Sequence, residues 1–304
     1  MGHVFGPVPS RRLGRSLGVD VVPYKTCTYD CIYCQLGRTT TKTVTAAEWV
    51  PVDEILEEVE VHLPSSPDFV TLGGSGEPTL YEGLGELIDG IKRLTTVPVA
   101  VLTNGSLLWR PDVRAGLLAA DLVIPSLDVG DEALFRAVNR PHDELRFEDM
   151  VQGLVDLRRA YRGQMWLEVL LLAGYTGYEP EVRDIARYVK QIGPDRVHLN
   201  TVVRPPAESF AEAVPHDRLE SFCELFEPHA EVIAASPGHD DAGSRTADET
   251  ELRELLRRRP CSIEDLARGL RLHRSQAIKL ADRLTAAGRI RCVVTGGILY
   301  YTAK

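Results

Sequence analysis

Long apolar runs are absent from this chain of 304 residues, and cysteines are few. No stretch is apolar over the roughly 20 residues that a membrane-spanning helix needs, so the sequence predicts no membrane partner. The sequence contains six cysteines and shows no recognisable targeting segment. Free thiols are typical of reducing compartments, which predicts a cytoplasmic protein without disulfides.

Three of the cysteines are close together, at Cys27, Cys31 and Cys34, in the spacing C-x3-C-x2-C. Three thiolates can ligate three irons of a [4Fe–4S] cluster, which usually takes four cysteine ligands. The next cysteine in the chain is Cys223, so the segment itself offers no fourth thiolate. A structural zinc site would need that fourth ligand, and a thioredoxin-type pair would have no use for Cys27. The spacing therefore favours a cluster with one open iron, which can bind a small molecule.

With Tyr33 as the aromatic residue before the last cysteine, this segment resembles the signature of radical S-adenosylmethionine (radical SAM) enzymes. The resemblance implies that the open iron binds S-adenosylmethionine (SAM), which an electron from the reduced cluster cleaves to methionine and a 5′-deoxyadenosyl radical. The run Gly6-Pro-Val-Pro-Ser10 resembles a subgroup of Fe–S oxidoreductases related to wyosine-base synthesis proteins. The resemblance covers about residues 1–235 and implies an external electron donor of the flavodoxin or ferredoxin type.

Before residue 236, short apolar segments alternate six times with amphipathic ones. This alternation predicts an α/β fold with a parallel sheet and helical crossovers, and the resemblance implies a partial (β/α)6 parallel barrel. The predicted strands are 19–22, 69–72, 97–102, 122–126, 166–171 and 197–201. The predicted helices are 52–63, 83–94, 112–119, 132–138, 147–160 and 180–192.

Polar residues follow these predicted strands, where a parallel barrel collects its chemistry. The run 73–79 is similar to a G-G-E motif that binds the methionine amino group, with Glu77 as the carboxylate; a tight turn capped by Glu77 is the alternative. Asp128 is a ribose or substrate contact, or else only a helix cap. Glu168 within a strand predicts a position in the barrel lumen, beside a ribose hydroxyl or an arginine. The predicted cofactor contacts are Tyr33, Gly74, Gly76, Glu77, Pro78, Thr103, Asn104, Ser126, Asp128, Glu168 and Asn200.

Arginines outside the cysteine segment are candidate substrate contacts. Arg140 and Arg204 could hold an anionic group of the substrate, because guanidinium binds carboxylate or phosphate through two N–H groups. A structural salt bridge is the alternative for each. Arg11, Arg12 and Arg15 predict either a solvated loop or a segment that covers the barrel mouth and excludes water.

The C-terminal residues differ in charge from the rest of the chain. Residues 245–304 contain 13 Lys and Arg against 7 Asp and Glu, a net charge of +6, whereas the whole chain carries −9 and the remainder therefore −15. A run of turn-forming residues predicts a linker at 236–247 between domains at 1–235 and 248–304.

The three remaining cysteines, Cys223, Cys261 and Cys292, have apolar neighbours and are predicted to be buried.

The pattern of residues 248–304, three helices and then a hairpin, resembles a winged helix-turn-helix domain. Such a domain often places its third helix in the major groove of DNA, and the positive charge fits a nucleic-acid partner, RNA or DNA. A protein-docking or dimerisation module is the alternative. The predicted nucleic-acid contacts are His273, Arg274, Gln276, Lys279 and Arg291.

Three functions are compatible with these patterns. The first is a radical SAM enzyme that abstracts hydrogen from an unidentified substrate, for which an RNA base is a candidate. The second is a DNA-binding redox regulator that contains the cluster, although a pure sensor would have no need of the motif around Glu77. The third is an activating enzyme that installs a glycyl radical on a partner docked at the C-terminal domain.

Overall fold

The computed structural model describes residues 2–233, 249–270, 272 and 274–304. The predicted linker at 236–247 and the domain limits at 235 and 248 lie outside these residues. The elements of the N-terminal part, in chain order, are β1 Val4–Ser10, β2 Gly14–Val19, β3 Thr26–Cys27, β4 Thr41–Lys42, α1 Val52–His62, β5 Phe69–Leu72, α2 Leu84–Leu94, β6 Val99–Thr103, α3 Pro111–Leu117, β7 Leu122–Pro125, α4 Glu132–Leu134, α5 Phe147–Ala160, β8 Gln164–Leu170, β9 Leu172–Ala173, α6 Glu179–Ile192, β10 Arg196–Asn200, β11 Glu212–Ala213, α7 His216–Phe222 and β12 Ala230–Val232.

These elements build one eight-stranded sheet in the order β1-β2-β5-β6-β7-β8-β10-β12. β1 is antiparallel to β2, and each of the other neighbours pairs in parallel. Helices connect the parallel strands, and their apolar stripes, such as Leu84, Leu87, Ile88 and Ile91 of α2, pack against one face of the sheet. The predicted parallel α/β architecture is therefore confirmed, and it is consistent with a partial barrel.

Three predictions, two about strands and one about a helix, need correction. The first parallel strand is Gly14–Val19 and not 19–22, because pairing with β5 ends at Val19 and the rest of the apolar run that drew the prediction lies beyond the sheet. β1 was not predicted, since it contains Pro7 and Pro9, which strands tolerate mainly at sheet edges. The predicted helix 132–138 is only one turn of α-helix followed by a π-helical turn at Phe135–Asn139.

Alternate residues of the strands face the interior of the curved sheet, and the turn between β1 and β2 fills part of that interior. Leu13 of this turn is buried against Ala100, Leu122 and Ile124. Its neighbour Arg12 forms an ion pair with Glu168 of β8. The turn therefore occupies the interior and is not a solvated loop.

The C-terminal unit comprises α8 Glu249–Arg258, α9 Ile263–Gly269, α10 Arg274–Ala286, β13 Ile290–Thr295 and β14 Ile298–Ala303. β13 and β14 form an antiparallel hairpin. A capping box between Ser262 and Asp265 stabilises the start of α9. Cys223 and Cys261 are buried, but Cys292 is exposed on β13, so its predicted burial was wrong.

The C-terminal unit has a hydrophobic core of its own but also packs against the sheet through β1. Val8 of β1 contacts that core. Arg258 of α8 lies 4.2 Å over the Phe5 ring and pairs with Asp20 at 3.2 Å. The hydroxyl of Tyr300 donates to the carbonyl of Val203. The two parts therefore share a polar and aromatic interface.

Candidate cluster and cofactor site

The cysteine segment is held between two loops that follow parallel strands. On one side Lys25 N donates to Ser75 O at 2.6 Å, and Glu77 N donates to Thr26 O at 3.0 Å. On the other side Ile32 N donates to Val138 O at 3.0 Å. The strand ends after β5 and β7 therefore fix the backbone on which the three cysteines stand.

Cys27, Cys31 and Cys34 are half-buried free thiols. Burial raises the pKa of Cys27 to about 12 and the pKa values of Cys31 and Cys34 above the usual range, with the neighbouring acidic groups adding to the effect at Cys27 and Cys31. Such thiols become thiolates when a cation replaces the proton.

Two asparagine amides point at the sulfur atoms. Asn104 Nδ2 lies 3.5 Å from Cys27 Sγ, and Asn139 Nδ2 lies 3.7 Å from Cys31 Sγ. N–H groups directed at sulfur stabilise thiolate ligands and tune the potential of iron–sulfur clusters. In the described part of the chain no three Cys, His, Asp or Glu side chains converge on a single ion. Thiolates that bind separate irons of a cluster need no such convergence.

The loop after β5 makes a close backbone approach to the cysteine segment. Gly76 pairs with Thr26, and a Cβ atom at Gly76 would overlap the Thr26 carbonyl oxygen. Gly74 has φ of 151°, a conformation that side-chain-bearing residues rarely adopt. Pro78, predicted to contact the cofactor, begins a buried 3₁₀ turn behind this loop. The glycines therefore let the loop lie directly beside Cys27.

The Glu77 carboxylate is buried and accepts hydrogen bonds from two loops. It caps the 3₁₀ turn through Thr79 N at 3.1 Å, as the alternative interpretation proposed. It also accepts from Thr103 Oγ1 at 2.6 Å and from Asn104 N at 2.7 Å, at the end of β6. Burial raises the pKa of Glu77, while these donors oppose that rise. Thr103, Asn104 and Glu77 are thus one unit beside Cys27.

A second buried network lies beside Cys31. The Tyr33 hydroxyl donates to Asp128 Oδ2, and Asn139 Nδ2 donates to the same oxygen at 3.1 Å. Leu170 N donates to Asp128 Oδ1 at 3.0 Å. Burial raises the pKa of Asp128 to about 6, against the effect of these hydrogen bonds. The next helix is capped by Asp131, so Asp128 is not its cap.

The remaining predicted cofactor contacts lie deeper on the interior face. Ser126 forms a bridge with Glu168, and Asn200 Nδ2 donates to Glu168 Oε1 at 2.7 Å. Burial would raise the pKa of Glu168, but the Arg12 guanidinium and the Asn200 amide hold it below its usual value. The partner of Glu168 is therefore an arginine, one of the two alternatives that the sequence left open.

The candidate substrate arginines are not together. Arg140, in the left-handed region with φ of 47°, pairs with Glu208 at 2.6 Å beside the cysteine segment. Arg204 pairs with Asp265 of the C-terminal unit at 3.6 Å. Both arginines form the salt bridges that were the alternative interpretation.

The predicted nucleic-acid contacts lie away from the cysteine segment, on α10 and β13. Arg274 pairs with Glu264 at 3.0 Å, and Arg291 Nε donates to Thr302 Oγ1 at 3.1 Å. Gln276 and Lys279 are exposed on α10. His273 lies outside the described residues.

Sequence reasoning gave no site role to Asn139 and no partner to Arg12, although both residues belong to these networks. Asn139 ends the π-helical turn and stands in the triplet Asn139-Arg140-Pro141, which the sequence displays without revealing the contact with Cys31. Arg12 reaches Glu168 because its turn enters the interior. The signal in the sequence for this contact was the position of Arg12 directly before an apolar residue, Leu13, which the structure shows to be buried.

Comparison with known proteins places this arrangement in a family. Residues 21–189 match the Radical SAM superfamily. The chain is 39% identical to a protein named GTPase Obg from Brachyspira hyodysenteriae over 99% of this chain and 45% of that protein. It is 38% identical to a UPF0026 protein from Methanocaldococcus jannaschii, over 69% of this chain and 66% of that protein. The chain thus spans less than two thirds of the length of either relative.

A solved structure shares the fold. The structure of SuiB from Streptococcus suis bound to S-adenosylmethionine aligns with a TM-score of 0.52 at 14% identity, over 78% of this chain and 53% of that one. No helix in the described ranges has both the length and the apolar composition to cross a membrane. The chain belongs to the radical SAM superfamily, since the matched family covers more than half of it. Proteins of this superfamily use a [4Fe–4S] cluster and SAM, which confirms both predicted cofactors.

Proposed function

We propose that this radical SAM protein cleaves SAM reductively at a cluster held by Cys27, Cys31 and Cys34 and uses the resulting radical to abstract hydrogen from a substrate. The observation that carries this proposal is the meeting of three strand ends, after β5, β6 and β7, around one cysteine segment. Those ends place Glu77 and Asn104 beside Cys27, and Asp128 beside Tyr33 of the same segment. Parallel barrels carry their active sites at these strand ends.

The residues of the site have distinct roles in this proposal. The three thiolates hold the cluster, and the amides of Asn104 and Asn139 donate to two of the sulfurs. When bound, the reduced cluster supplies the electron that cleaves SAM to methionine and a 5′-deoxyadenosyl radical. Glu77 provides a buried carboxylate for the methionine ammonium group, and Gly74 and Gly76 let the backbone approach it. Asp128 is a carboxylate that would accept hydrogen bonds from ribose hydroxyls, whereas Glu168 holds Arg12 in the barrel interior.

An RNA base is the substrate that we infer from the resemblance to wyosine-related proteins, with an electron donor of the flavodoxin or ferredoxin type. Support comes from the C-terminal unit, which we interpret as a winged helix because it orders three helices before a hairpin. Its positive charge fits an RNA backbone.

The motif around Glu77 favours an enzyme over a redox regulator, because a regulator needs only the cluster. Its carboxylate lies at the end of β5 beside Cys27, where the cofactor would bind. No contact of the described residues specifically favours the third function, that of a glycyl-radical activating enzyme.

The test is the release of 5′-deoxyadenosine. Anaerobically reconstituted protein with dithionite and SAM should form it slowly even without substrate, as chromatography of the quenched reaction would measure. A protein with a full cluster that forms no 5′-deoxyadenosine under these conditions would refute the proposal.

A further inference from the structure

A cleft of about 1670 Å³ lies between the interior of the sheet and the C-terminal unit. One wall comes from the β1–β2 turn and from strand ends that include Thr71, Gly74 and Leu102. The opposite wall includes Arg259, Ser262 and Tyr300 of the C-terminal unit. Because Gly74 belongs to the loop beside Cys27, the cleft adjoins the candidate cofactor site.

The cleft carries an excess of positive charge. Seven arginines line it, against the two carboxylates of Glu212 and Asp265. Asp20, Asp68 and Glu168 contact three of these arginines from outside the lining set. Counting them leaves an excess of two positive charges in a chain whose net charge is −9. The excess is local and opposes the charge of the chain as a whole.

Arg11, Arg204 and Arg259 form the inner part of this cleft, which we call the arginine cleft. Arg11 donates to Asn200 Oδ1 at 3.1 Å and to Ile233 O at 3.2 Å. The Arg204 side chain is only 11% exposed and donates to Gln35 Oε1 at 3.0 Å. Burial and the charge of Arg204 lower the pKa of Arg11 to about 10, and burial and the charge of Arg259 lower the pKa of Arg204. These guanidinium groups therefore repel one another in a poorly hydrated place.

Two buried donors of the arginine cleft have no hydrogen-bond acceptor within the described ranges. They are Nε of Arg204 and Nη2 of Arg259. Buried polar groups are almost always paired, and an unpaired donor on a charged group is costly. A bound oxyanion would accept from both groups and reduce their repulsion.

We propose that the arginine cleft binds an oxyanion, a phosphate or carboxylate group of the substrate, between the sheet and the C-terminal unit. Arg204 donates from the segment after β10 and Arg259 from the segment after α8. That the anion belongs to the substrate rests on the proposed enzymatic function, whereas the binding of an anion does not. The C-terminal unit thereby contributes one wall of the substrate site.

The test is calorimetric titration of the full-length, reconstituted protein without SAM, at constant ionic strength. The probes are inorganic phosphate, pyrophosphate and succinate, which separate phosphate from carboxylate as the anion. We expect one of them to bind and Arg259→Ala to weaken that binding about tenfold or more, the effect of one charge-assisted hydrogen bond. Arg253→Ala is the matched control, because Arg253 lies on α8 beside Glu249 and does not line the cleft.

Arg204→Gln provides a second variant that keeps a polar side chain at the interface. The inference is overturned if none of the three anions binds, or if Arg259→Ala and Arg253→Ala bind the anion equally. Protein that binds an anion but forms no 5′-deoxyadenosine would refute only the proposed enzymatic function. Protein that forms 5′-deoxyadenosine but binds none of the anions would refute only the arginine cleft.

Discussion

The N-terminal barrel and the C-terminal unit differ in what they bury. In the described ranges all buried polar side chains, among them Glu77, Asp128, Asn139 and Asn200, belong to the barrel. The buried side chains of the C-terminal unit are those of apolar residues, cysteine and tyrosine, and its charged side chains lie at least partly exposed. Burying polar groups is costly unless they are paired, so a fold that concentrates them in one place marks where its chemistry lies. The comparison supports the proposed chemistry in the barrel, and for the C-terminal unit we propose a binding role.

The interface between the two parts qualifies this division. Asp265 lies in the first turn of α9 within the C-terminal unit but also pairs with Arg204 of the barrel. Arg258 pairs with Asp20 just after β2. Separate hydrophobic cores suggest that each part can fold alone, whereas these ion pairs predict that removing the C-terminal unit leaves charged groups of the barrel without partners.

The largest difference between the parts should appear when cysteines are replaced. Replacing any one of the three cysteines, as in Cys27→Ala, Cys31→Ala or Cys34→Ala, should abolish a cluster of about four irons and four sulfides per chain. The segment supplies only three thiolates for a cluster that usually takes four, so the loss of one should prevent its assembly. Cys292→Ser, on the exposed hairpin of the C-terminal unit, should leave the iron content unchanged. Iron and sulfide analysis after anaerobic reconstitution measures both. Stoichiometric zinc without iron in the parent protein would contradict the assignment.

Glu77 separates cofactor binding from cluster binding within the barrel. Glu77→Ala should weaken SAM binding about 10–100-fold, the effect of losing a hydrogen bond to a charged group, while the iron content persists because Glu77 is not a ligand. Anaerobic equilibrium dialysis with labelled SAM measures the affinity. Glu77→Gln keeps the shape of this buried residue and controls for loss of the fold. Parent-like SAM affinity in Glu77→Ala would show that the ammonium group binds elsewhere.

Asn139 tests whether an amide beside Cys31 tunes the cluster. Asn139→Leu should make the reduction potential more negative by a few tens of millivolts, because the hydrogen bond contributes about 0.5–1.5 kcal/mol. Asn200→Leu is the control, since Asn200 contacts Glu168 and Arg11 instead of a thiol. A redox titration followed by electron paramagnetic resonance measures the potential. Equal potentials in both variants would remove Asn139 from the cluster environment.

Local and topological patterns explain which parts of the site could be predicted from the sequence. The three cysteines lie within eight residues, so their spacing alone carries the ligand set. Glu77 and Asn104 could be placed together because parallel strands end at one edge. The contact of Asn139 with Cys31 joins residues 108 positions apart and depends on a π-helical turn that no periodicity indicates.

Charge patterns were less informative because the sequence does not name the partner of a charged residue. Arg204 was predicted to contact the substrate because it follows a predicted strand. Its ion pair with Asp265 depends instead on how the C-terminal unit packs against the barrel. The Arg12–Glu168 pair depends equally on the insertion of the β1–β2 turn into the sheet interior. Such long-range pairs follow from the packing of whole elements, which the local sequence does not reveal.

The smallest effects are expected for exposed charges of the C-terminal unit. If α10 binds RNA or DNA, affinity should fall steeply with salt, because Lys and Arg release counterions from phosphates. Arg274→Ala and Lys279→Ala, both on the exposed side of α10, should each reduce the salt slope by about one. The full-length variants should still form 5′-deoxyadenosine, since neither residue contacts the barrel site, and the full chain avoids the broken ion pairs of a truncation. Gel-shift titrations with DNA and with RNA at several salt concentrations measure the slope, with Arg253→Ala on α8 as the control. Absence of binding to either nucleic acid at low salt would instead assign this unit to protein docking, and the exposed Val294 and Ile298 of the hairpin would then be the first surface to examine.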